Sequence, residues 1–371
     1  MKMTRSIVRT ATLCLLAGGA VLFGQSAQSP APSAGAPTAA ANPAPDGRRR
    51  GGPNRAPLTP DDIAEIATLD TFPAWQKGVG DGNYFIGPEY ASAPELTPRD
   101  GVPKGRIETF TMQAADSKFF PATGLRGATP TRQVTVYIPS QYKTGTVAPV
   151  IVSCDAYGAR NNQLPTILDN MIADKRLPAI VAVMIANGGG DGPGSERGLE
   201  YDTVSGKYAE FVEAEVLPRV ERDYGVKITK DPDGRMTLGG SSGGSAAFSM
   251  AWFHPEWYRR VLIYSGTFVN QHPDSQNPHG AWEFHEHIIP QSPAKPLRIW
   301  MHVSQNDNGA TSAASGLHNW VIANIRTASA LKAKGYHYQF VYAKGAGHTD
   351  GKVIQQTYPQ ALEYAWQGYK R

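Results

Sequence analysis

The feature that most constrains the fold is a series of short, almost uninterrupted apolar segments that recur from residue 149 onward. In PVIVSC (149–154) and PAIVAVMIAN (178–187), nearly every residue is apolar or β-branched. Such segments are typical of parallel strands that are covered on both faces of a sheet. Further segments of this kind are RMTLGG (235–240), RRVLIYSG (259–266), LRIWMHVS (297–304) and YQFVYAKG (338–345).

Helical patterns separate these predicted strands. Apolar residues at helical spacing predict helices at 164–176, 206–225, 245–253, 319–335 and 358–370. Upstream, RIETFTM (106–112) and RQVTVYIP (132–139) alternate apolar and polar residues, which predicts half-buried antiparallel strands. The alternation of strands and helices predicts an α/β fold, a doubly wound and mostly parallel sheet with helices on both faces. Right-handed crossovers then bring the carboxyl ends of the parallel strands to one edge, where such sheets carry their sites.

The N-terminal part of the chain has a different composition. Residues 1–27 combine a basic head, an apolar segment and small residues near the end, which indicates a secretory signal peptide, with a membrane anchor as the alternative. Residues 28–60 are rich in Pro, Ala and Gly and are expected to form a disordered linker. Residues 61–104 are expected to form an arm that begins with a short helix and packs on the main domain, 105–371, through Trp75, Tyr84 and Phe85.

Charge and cysteine content exclude several classes of protein. The chain has 36 basic and 32 acidic residues, a formal net charge of +4, so no nucleic-acid partner is indicated. The predicted location is secreted or periplasmic, without a stable membrane anchor. Once the signal peptide is removed, Cys154 is the only cysteine, so no internal disulfide can form. We interpret Cys154 as a small buried apolar residue rather than a nucleophile.

The stretch RMTLGGSSGGSAAFSM (235–250) joins a predicted strand directly to a predicted helix. Its pentapeptide Gly240-Ser241-Ser242-Gly243-Gly244 fits the pattern G-x-S-x-G with Ser242 at the centre, in the context that a nucleophile elbow requires. A flexible Gly/Ser linker is the alternative, but a linker would not join a buried strand to a helix without spare residues. We therefore predict Ser242 as a nucleophile that needs a base, and a third group to orient that base.

On such a sheet, the partners are expected in the chain order Ser, acid, His. His348 follows the last predicted strand and is the predicted base. Asp307 follows the strand LRIWMHV and is the predicted acid, with Asp155, at the end of an earlier strand, as its rival. His302 lies within a strand and is predicted to be a core residue.

An oxyanion that develops at Ser242 would need backbone N–H donors. One predicted donor is Gly243, the residue after the nucleophile. The second is expected in the loop after PVIVSC, where Ala156 is chosen over its neighbours Asp155 and Tyr157. A further loop carries Arg197 and Glu200, which either form an ordinary ion pair or, for Arg197, face a polar or anionic substrate group.

Aromatic and histidine residues complete the candidate substrate site. Aromatic side chains are more often core residues, but Trp282, Phe284 and Trp320 could line a groove together with Tyr157. His279, His285 and His287 are close in sequence, and we favour a role in the wall of a pocket over a metal site. We expect neither a metal nor a cofactor. The predicted substrate-binding residues are Tyr157, Arg197, Glu200, Trp282, His285 and Trp320.

Four segments together resemble the esterase D and enterochelin esterase-like group of α/β-hydrolases, which also includes feruloyl and acetyl xylan esterases. They are ERGLEYDTVSGKYAEFVEAEVLP (196–218), GRMTLGGSSGGSAAFSMAW (234–252), NDNG (306–309) with HNWVIAN (318–324), and GYHYQFVYAKGAGH (335–348). The resemblance covers roughly residues 105–370. It implies the α/β-hydrolase fold and a serine hydrolase with Ser242 as nucleophile, His348 as base and Asp307 as acid.

The expected function is therefore a secreted serine ester hydrolase that works through an acyl-enzyme. Its expected substrate is a small-molecule or oligosaccharide ester, either an acylated carbohydrate or a feruloyl or acetyl ester. One alternative is a siderophore trilactone esterase of the enterochelin type, in which Arg197 and His285 would contact anionic catechols. An alternative of another class is a non-catalytic binding module on the same fold, which the presence of Ser, Asp and His disfavours.

Overall fold

The computed structural model of this chain describes residues 56–121, 124–156 and 163–370. Nine strands form one sheet in the order β1-β11-β10-β9-β8-β5-β6-β3-β2, and β4 pairs separately with β7. The strands are β1 (Gly82–Ile86), β2 (Arg106–Gln113), β3 (Thr131–Ile138), β4 (Val147–Ala148), β5 (Val150–Cys154), β6 (Val181–Ile185), β7 (Lys227–Ile228), β8 (Arg235–Gly240), β9 (Arg260–Tyr264), β10 (Arg298–Asn306) and β11 (His337–Gly347).

The large sheet is mostly parallel. Every pair from β1 across to β6 is parallel, whereas β3 pairs antiparallel with both β6 and β2. The interior strands β5, β6, β8 and β9 are buried at every position, because their unbroken apolar sequences leave no polar face for solvent. The predicted difference between these strands and the alternating strands β2 and β3 is confirmed.

Helices cover both faces of the sheet, which confirms the predicted doubly wound α/β-hydrolase architecture. Apolar side chains of α2 and α9 form the core on one face, and those of α5, α6 and α8 form the core on the other. The helices are α1 (Pro60–Ala67), α2 (Gln163–Ala173), α3 (Glu196–Tyr201), α4 (Lys207–Phe211), α5 (Leu217–Tyr224), α6 (Ser242–Phe253), α7 (Ile289–Gln291), α8 (Trp320–Ala333) and α9 (Gly351–Ala365).

The N-terminal segment contributes an edge strand that the sequence analysis did not predict. Strand β1 lies parallel to β11, with Gly82 opposite Gln339. The indole of Trp75 donates to the Gln339 side chain at 3.0 Å and so fixes the chain ahead of this strand. The short helix predicted at the start of the arm is present as α1, and Thr59 and Asp62 form its capping box. The division into an arm and a main domain that begins at residue 105 stays a prediction.

The predicted signal peptide and the linker up to residue 55 lie outside the described residues. Within the residues that are described, no helix combines the length and apolarity needed to cross a membrane. Cys154 is fully buried, and burial raises the pKa of its thiol well above the usual value. This burial confirms the interpretation of Cys154 as a small apolar residue of the core.

Candidate active site

The turn between β8 and α6 presents one serine at the carboxyl edge of the sheet. Strand β8 ends at Gly240 and α6 begins at Ser242, so Ser241 alone forms the turn. Its backbone has φ 56° and ψ −129°, which for a non-glycine residue costs on the order of 1–3 kcal/mol. The turn is tight because Gly239 lies against Gly243: a Cβ at Gly239 would come 2.0 Å from the Gly243 carbonyl oxygen.

Ser241 begins a chain of hydrogen bonds that crosses three loops. Its Oγ lies 2.8 Å from Nε2 of His348, and Nδ1 of His348 lies 2.5 Å from Oδ1 of Asp307. The Asp307 side chain is fully buried, whereas that of His348 is 23% exposed. A serine in this arrangement can pass its proton to the imidazole while the carboxylate fixes the tautomer and stabilises the imidazolium. The structure thus brings His348 and Asp307 together at the edge where the sequence placed them.

The fold prepares Asp307 to remain ionised. Its Oδ2 accepts from the Ser265 hydroxyl at 2.7 Å and from the Ser304 backbone N–H at 3.2 Å, and Oδ1 accepts from the Asn308 N–H at 2.8 Å. Burial raises the pKa of Asp307, but hydrogen bonds from His348, Ser265 and Asn308 outweigh burial and hold the pKa below its usual value. A buried anion is therefore available to orient the imidazole at neutral pH.

Sequence reasoning missed Ser265. This residue follows β9 in a left-handed conformation with φ 48°. Besides donating to Asp307, its Oγ accepts the backbone N–H of Thr349 at 3.1 Å. Ser265 therefore ties the loop of the carboxylate to the loop of the imidazole. The available signal was its position near the carboxyl end of the predicted strand RRVLIYSG, at the same edge of the sheet as Asp307 and His348.

The prediction that Ser242 pairs with His348 is wrong. The hydroxyl within hydrogen-bonding distance of the imidazole is that of Ser241, whereas Ser242 is the first residue of α6 and only 1% exposed. Ser242 instead faces the buried Asp202, whose carboxylate makes no hydrogen bond of ordinary length and whose pKa burial raises to about 7. The physical reason is that the close glycine pair, Gly239 and Gly243, centres the turn one residue earlier than predicted.

The prediction that Ala156 donates to an oxyanion is also wrong. Its backbone N–H donates to the Ile185 carbonyl at 2.9 Å, and the N–H of Asp155 donates to the Tyr201 hydroxyl at 2.9 Å. Both backbone N–H groups in the described part of this loop therefore already donate hydrogen bonds within the protein. Gly243 lies in the first turn of α6, where backbone N–H groups have no intrahelical acceptor, and its role as a donor stays a prediction.

A cavity of about 490 Å³ opens beside Ser241 and His348. Arg197 lines it, as predicted for a substrate-facing residue, but its guanidinium is held by two carboxylates. Its Nη2 lies 2.5 Å from Asp155 Oδ2 and its Nη1 lies 2.7 Å from Asp191 Oδ1. The rival acid Asp155 therefore pairs with Arg197 and not with His348. Among the described contacts, Glu200 pairs with Arg132, so the alternative of an ion pair between Arg197 and Glu200 is not observed.

Three of the predicted substrate-binding residues lie in the interior. The Glu200 carboxylate is fully buried, binds the Arg132 guanidinium, and has a pKa that burial raises to about 7. Trp282 is 1% exposed and donates its indole N–H to Glu286 at 2.7 Å. His285 is 8% exposed, is bonded through Nδ1 to the Trp282 carbonyl, and has a pKa that burial lowers to about 4. None of these three lines the cavity, so this part of the prediction is wrong.

Three further residues singled out in the sequence are Trp320, Tyr157 and His302. Trp320 is 5% exposed and meets the His348 ring edge-on, with ring centroids 6.1 Å apart, so it supports the imidazole rather than lining the cavity. Tyr157 lies outside the described residues. His302 is fully buried within β10, which confirms it as a core residue.

Near α7, the histidine segment has carboxylates close to it, although its sequence shows no carboxylate set with a clear ligand order. One ligand atom each from His279, Glu283 and Glu286 lies within 4.8 Å of the other two. This group does not line the cavity beside Ser241.

The strained serine turn at the carboxyl edge of a mostly parallel sheet makes this protein an α/β-hydrolase. Within that class the chain belongs to the esterase family, since the family model described as "Esterase: Putative esterase" matches residues 129–360. Comparison with curated protein sequences gave no match.

Solved structures with the same fold include two kinds of esterase. The enterobactin esterase of Shigella flexneri, solved in the presence of 2,3-di-hydroxy-N-benzoyl-glycine, has a TM-score of 0.54 and 17% identity over 74% of this chain and 62% of that chain. The ferulic acid esterase AmCE1/Fae1A of the anaerobic fungus Anaeromyces mucronatus has a TM-score of 0.55 and 13% identity over 75% of this chain and 96% of that chain. This chain thus spans 62% of the enterobactin esterase, and at these identities the likeness shows the fold.

Proposed function

We propose that this protein hydrolyses carboxylic esters through an acyl-enzyme formed on Ser241. The observation that carries the proposal is the continuous hydrogen-bonded chain from the Ser241 hydroxyl through His348 to the buried Asp307. Membership of the esterase family and the fold shared with two kinds of solved esterase support it.

In the first half of the reaction, Ser241 Oγ attacks the ester carbonyl carbon as its proton passes to His348 Nε2. The C–O bond to the alcohol then breaks, and the imidazolium gives its proton to the leaving oxygen. In the second half, water gives a proton to the same nitrogen and attacks the acyl carbonyl carbon. The bond from that carbon to Ser241 Oγ then breaks, the imidazolium returns the proton to Oγ, and the acid is released. Asp307 keeps its negative charge throughout and stabilises the imidazolium.

The turn geometry also changes which backbone N–H we assign as the oxyanion donor. Because the nucleophile is proposed at 241, the residue that follows it is Ser242 rather than Gly243. The Ser242 backbone N–H is the first of α6, where it has no intrahelical acceptor and where the helix dipole favours negative charge. We assign this N–H to the oxyanion in place of the predicted Gly243 N–H.

The cavity beside Ser241 favours a hydroxylated, uncharged substrate. Its lining is mostly polar and includes Gln163, Asn187, Asp191, Thr349 and Gln355. The positive charge of Arg197 is already neutralised by Asp155 and Asp191, so the described residues that line the cavity offer no free cation for a catecholate. An acylated carbohydrate, or a feruloyl or acetyl ester of one, therefore fits this cavity better than an enterobactin-type trilactone, the second candidate.

A fluorophosphonate probe tests the proposal directly, because it reacts with an activated serine hydroxyl. We expect stoichiometric labelling, and peptide mapping by mass spectrometry should place the label on Ser241. A folded protein that stays unlabelled would support the non-catalytic binding module, and a label on Ser242 would reject our assignment. Side-by-side turnover of acetylated xylan, methyl ferulate and enterobactin then ranks the substrates, and hydrolysis of enterobactin alone would reject the carbohydrate proposal.

We further propose that the protein is exported, on the basis of the signal-peptide pattern in residues 1–27. N-terminal sequencing of the protein recovered from the periplasm or medium of a bacterial host should begin after about residue 27. Recovery of the full-length chain from the cytoplasm alone would contradict export.

A further inference from the structure

The segment that follows β9 carries a group of histidine and glutamate side chains on one face. After a short turn at Gly280–Trp282, residues 284–288 form a π-helical turn that leads into α7. His279, Glu283 and His287 are spaced four residues apart, and Glu286 comes three residues after Glu283, so Glu283 has the other three as neighbours along this segment. We refer to these four residues as the 279–287 cluster. π-Helical turns occur frequently at functional sites.

The potential ligand atoms of His279, Glu283 and Glu286 converge, and His287 approaches this group beside Glu283. Nδ1 of His279 lies 2.9 Å from Glu286 Oε2 and 3.6 Å from Glu283 Oε1. Nε2 of His287 lies 3.7 Å from the other oxygen of Glu283, Oε2. A tetrahedral zinc ion with bonds of about 2.0–2.1 Å separates its ligand atoms by roughly 3.3–3.4 Å. The three observed separations differ from this value by about 0.2–0.5 Å. His287 lies farther from at least one other member of the cluster, so its exposed ring has to move more than the other ligands to reach a shared ion.

Glu283 points independently to a cation. Its side chain is only 7% exposed, yet among the described residues no lysine or arginine pairs with it. The neighbours that face its carboxylate are the His279 backbone N–H, at 3.2 Å, and the rings of His279 and His287. Because a buried carboxylate is costly without a compensating positive charge, this side chain is placed for a metal ion held jointly by the two imidazoles.

The side chains around the cluster orient its ligands. The Trp282 indole N–H donates to Glu286 Oε1 at 2.7 Å, which leaves Oε2 directed at His279. Such an outer hydrogen bond fixes a ligating carboxylate in metal sites. Two imidazole nitrogens and two carboxylate oxygens suit zinc, whereas magnesium and calcium prefer oxygen ligands alone.

We propose that the 279–287 cluster binds one Zn²⁺ ion through His279, Glu283, Glu286 and His287. The ion ties the start of the turn to the π-helical segment and compensates the charge of Glu283. It is a structural site, separate from the cavity beside Ser241, because none of the four residues lines that cavity. The inference does not depend on the proposed esterase activity.

The test uses the full chain without a histidine tag, stripped with EDTA and dialysed into metal-free buffer. Isothermal titration with ZnCl₂ should give one site per chain, and zinc at about 100 times its dissociation constant should raise the melting temperature by about 5 °C. MgCl₂ and CaCl₂ should not. His279→Ala and Glu283→Gln should both lose the zinc-dependent shift.

His337→Ala is the matched control, since His337 Nδ1 also lies 2.7 Å from a carboxylate, that of Asp81, but outside the cluster. It should keep the full zinc response. Circular dichroism of each variant in EDTA checks that the fold is intact, and His279→Gln provides a second substitution if His279→Ala fails to fold. The proposal is overturned if the parent chain shows no saturable zinc site, if magnesium produces the same shift, or if folded His279 and Glu283 variants respond like the parent.

Discussion

The adjacent serines Ser241 and Ser242, at the turn before α6, are expected to differ sharply in how much turnover is lost when each is replaced by alanine. Ser241→Ala removes the hydroxyl that lies 2.8 Å from the imidazole. Turnover should fall by on the order of 10⁴-fold or more, because no nucleophile is left for His348 to activate. The strained φ of 56° is kept, since alanine is no easier to place there than serine. The hydrogen bond to His348 and a long one, 3.5 Å, to the Thr267 hydroxyl are lost, so stability should fall by about 1 kcal/mol, or about 2 °C in melting temperature.

Ser242→Ala removes a hydroxyl that does not contact the imidazole. The backbone N–H of residue 242 is unchanged, so turnover should stay within about threefold of the parent. The variant loses the hydroxyl that faces the buried Asp202, which should cost about 1 kcal/mol of stability. The two variants thus match in stability and differ in turnover by at least about 10³-fold. Hydrolysis of p-nitrophenyl acetate, with thermal unfolding of each variant, measures both. Parent-like turnover in Ser241→Ala together with collapse in Ser242→Ala would refute the reasoning.

Three further predictions concern the groups around this turn. Asp307→Asn should lower turnover by on the order of 10⁴-fold, because an amide cannot hold the His348 tautomer; a loss below tenfold in steady-state assays would contradict this. Ser265→Ala should lower kcat about tenfold at unchanged KM, because Asp307 loses one oriented donor; a change in KM alone would argue for substrate contact instead. Asp202 has a folded pKa of about 7, above its unfolded value near 3.8, so the folded state holds the extra proton and stability falls as pH rises from about 4 to 7. Asp202→Asn should therefore be more stable than the parent at pH 8, by at most a few kcal/mol, and show less gain at pH 4 in urea unfolding; equal stability differences at both pH values would contradict the prediction.

The main sheet could be predicted from sequence because its strands are buried on both faces. In β5, β6, β8 and β9, burial demands apolar residues at every position, and such runs are readable without any structure. β1 lacked this signal: its sequence GNYFI lies between turn residues and is only partly buried, so nothing local distinguishes it from an irregular arm. Its pairing with β11 depends on contacts more than 250 residues apart.

The sequence predicted the location of the site more accurately than it predicted which side chains contact one another there. Asp307 and His348 were found because each directly follows a strand, and topology brings such positions to one edge. The repeated glycines of GGSSGG fit the elbow pattern at two registers, and only the packing of Gly239 against Gly243 selects Ser241. Glu200 and Trp282 were misplaced because sequence shows a polar or aromatic side chain in a loop but not the direction in which it points. Glu200 meets Arg132 in the interior, whereas the buried Trp282 directs its indole N–H to Glu286 at the surface.

The parallel pairing of β1 with β11 bears on how far upstream the folded unit of this chain has to begin. His348 comes directly after β11, and β1 is the neighbour of that strand on its outer side. A protein trimmed to residues 105–371, or to the family core at 129–360, would leave the backbone of β11 unpaired next to the imidazole loop. The unpaired backbone N–H and C=O groups of β11 would also be open to pairing with strands of other molecules, which is a common route to aggregation. The polypeptide needed to pair β11 along both of its edges therefore extends upstream at least to residue 82.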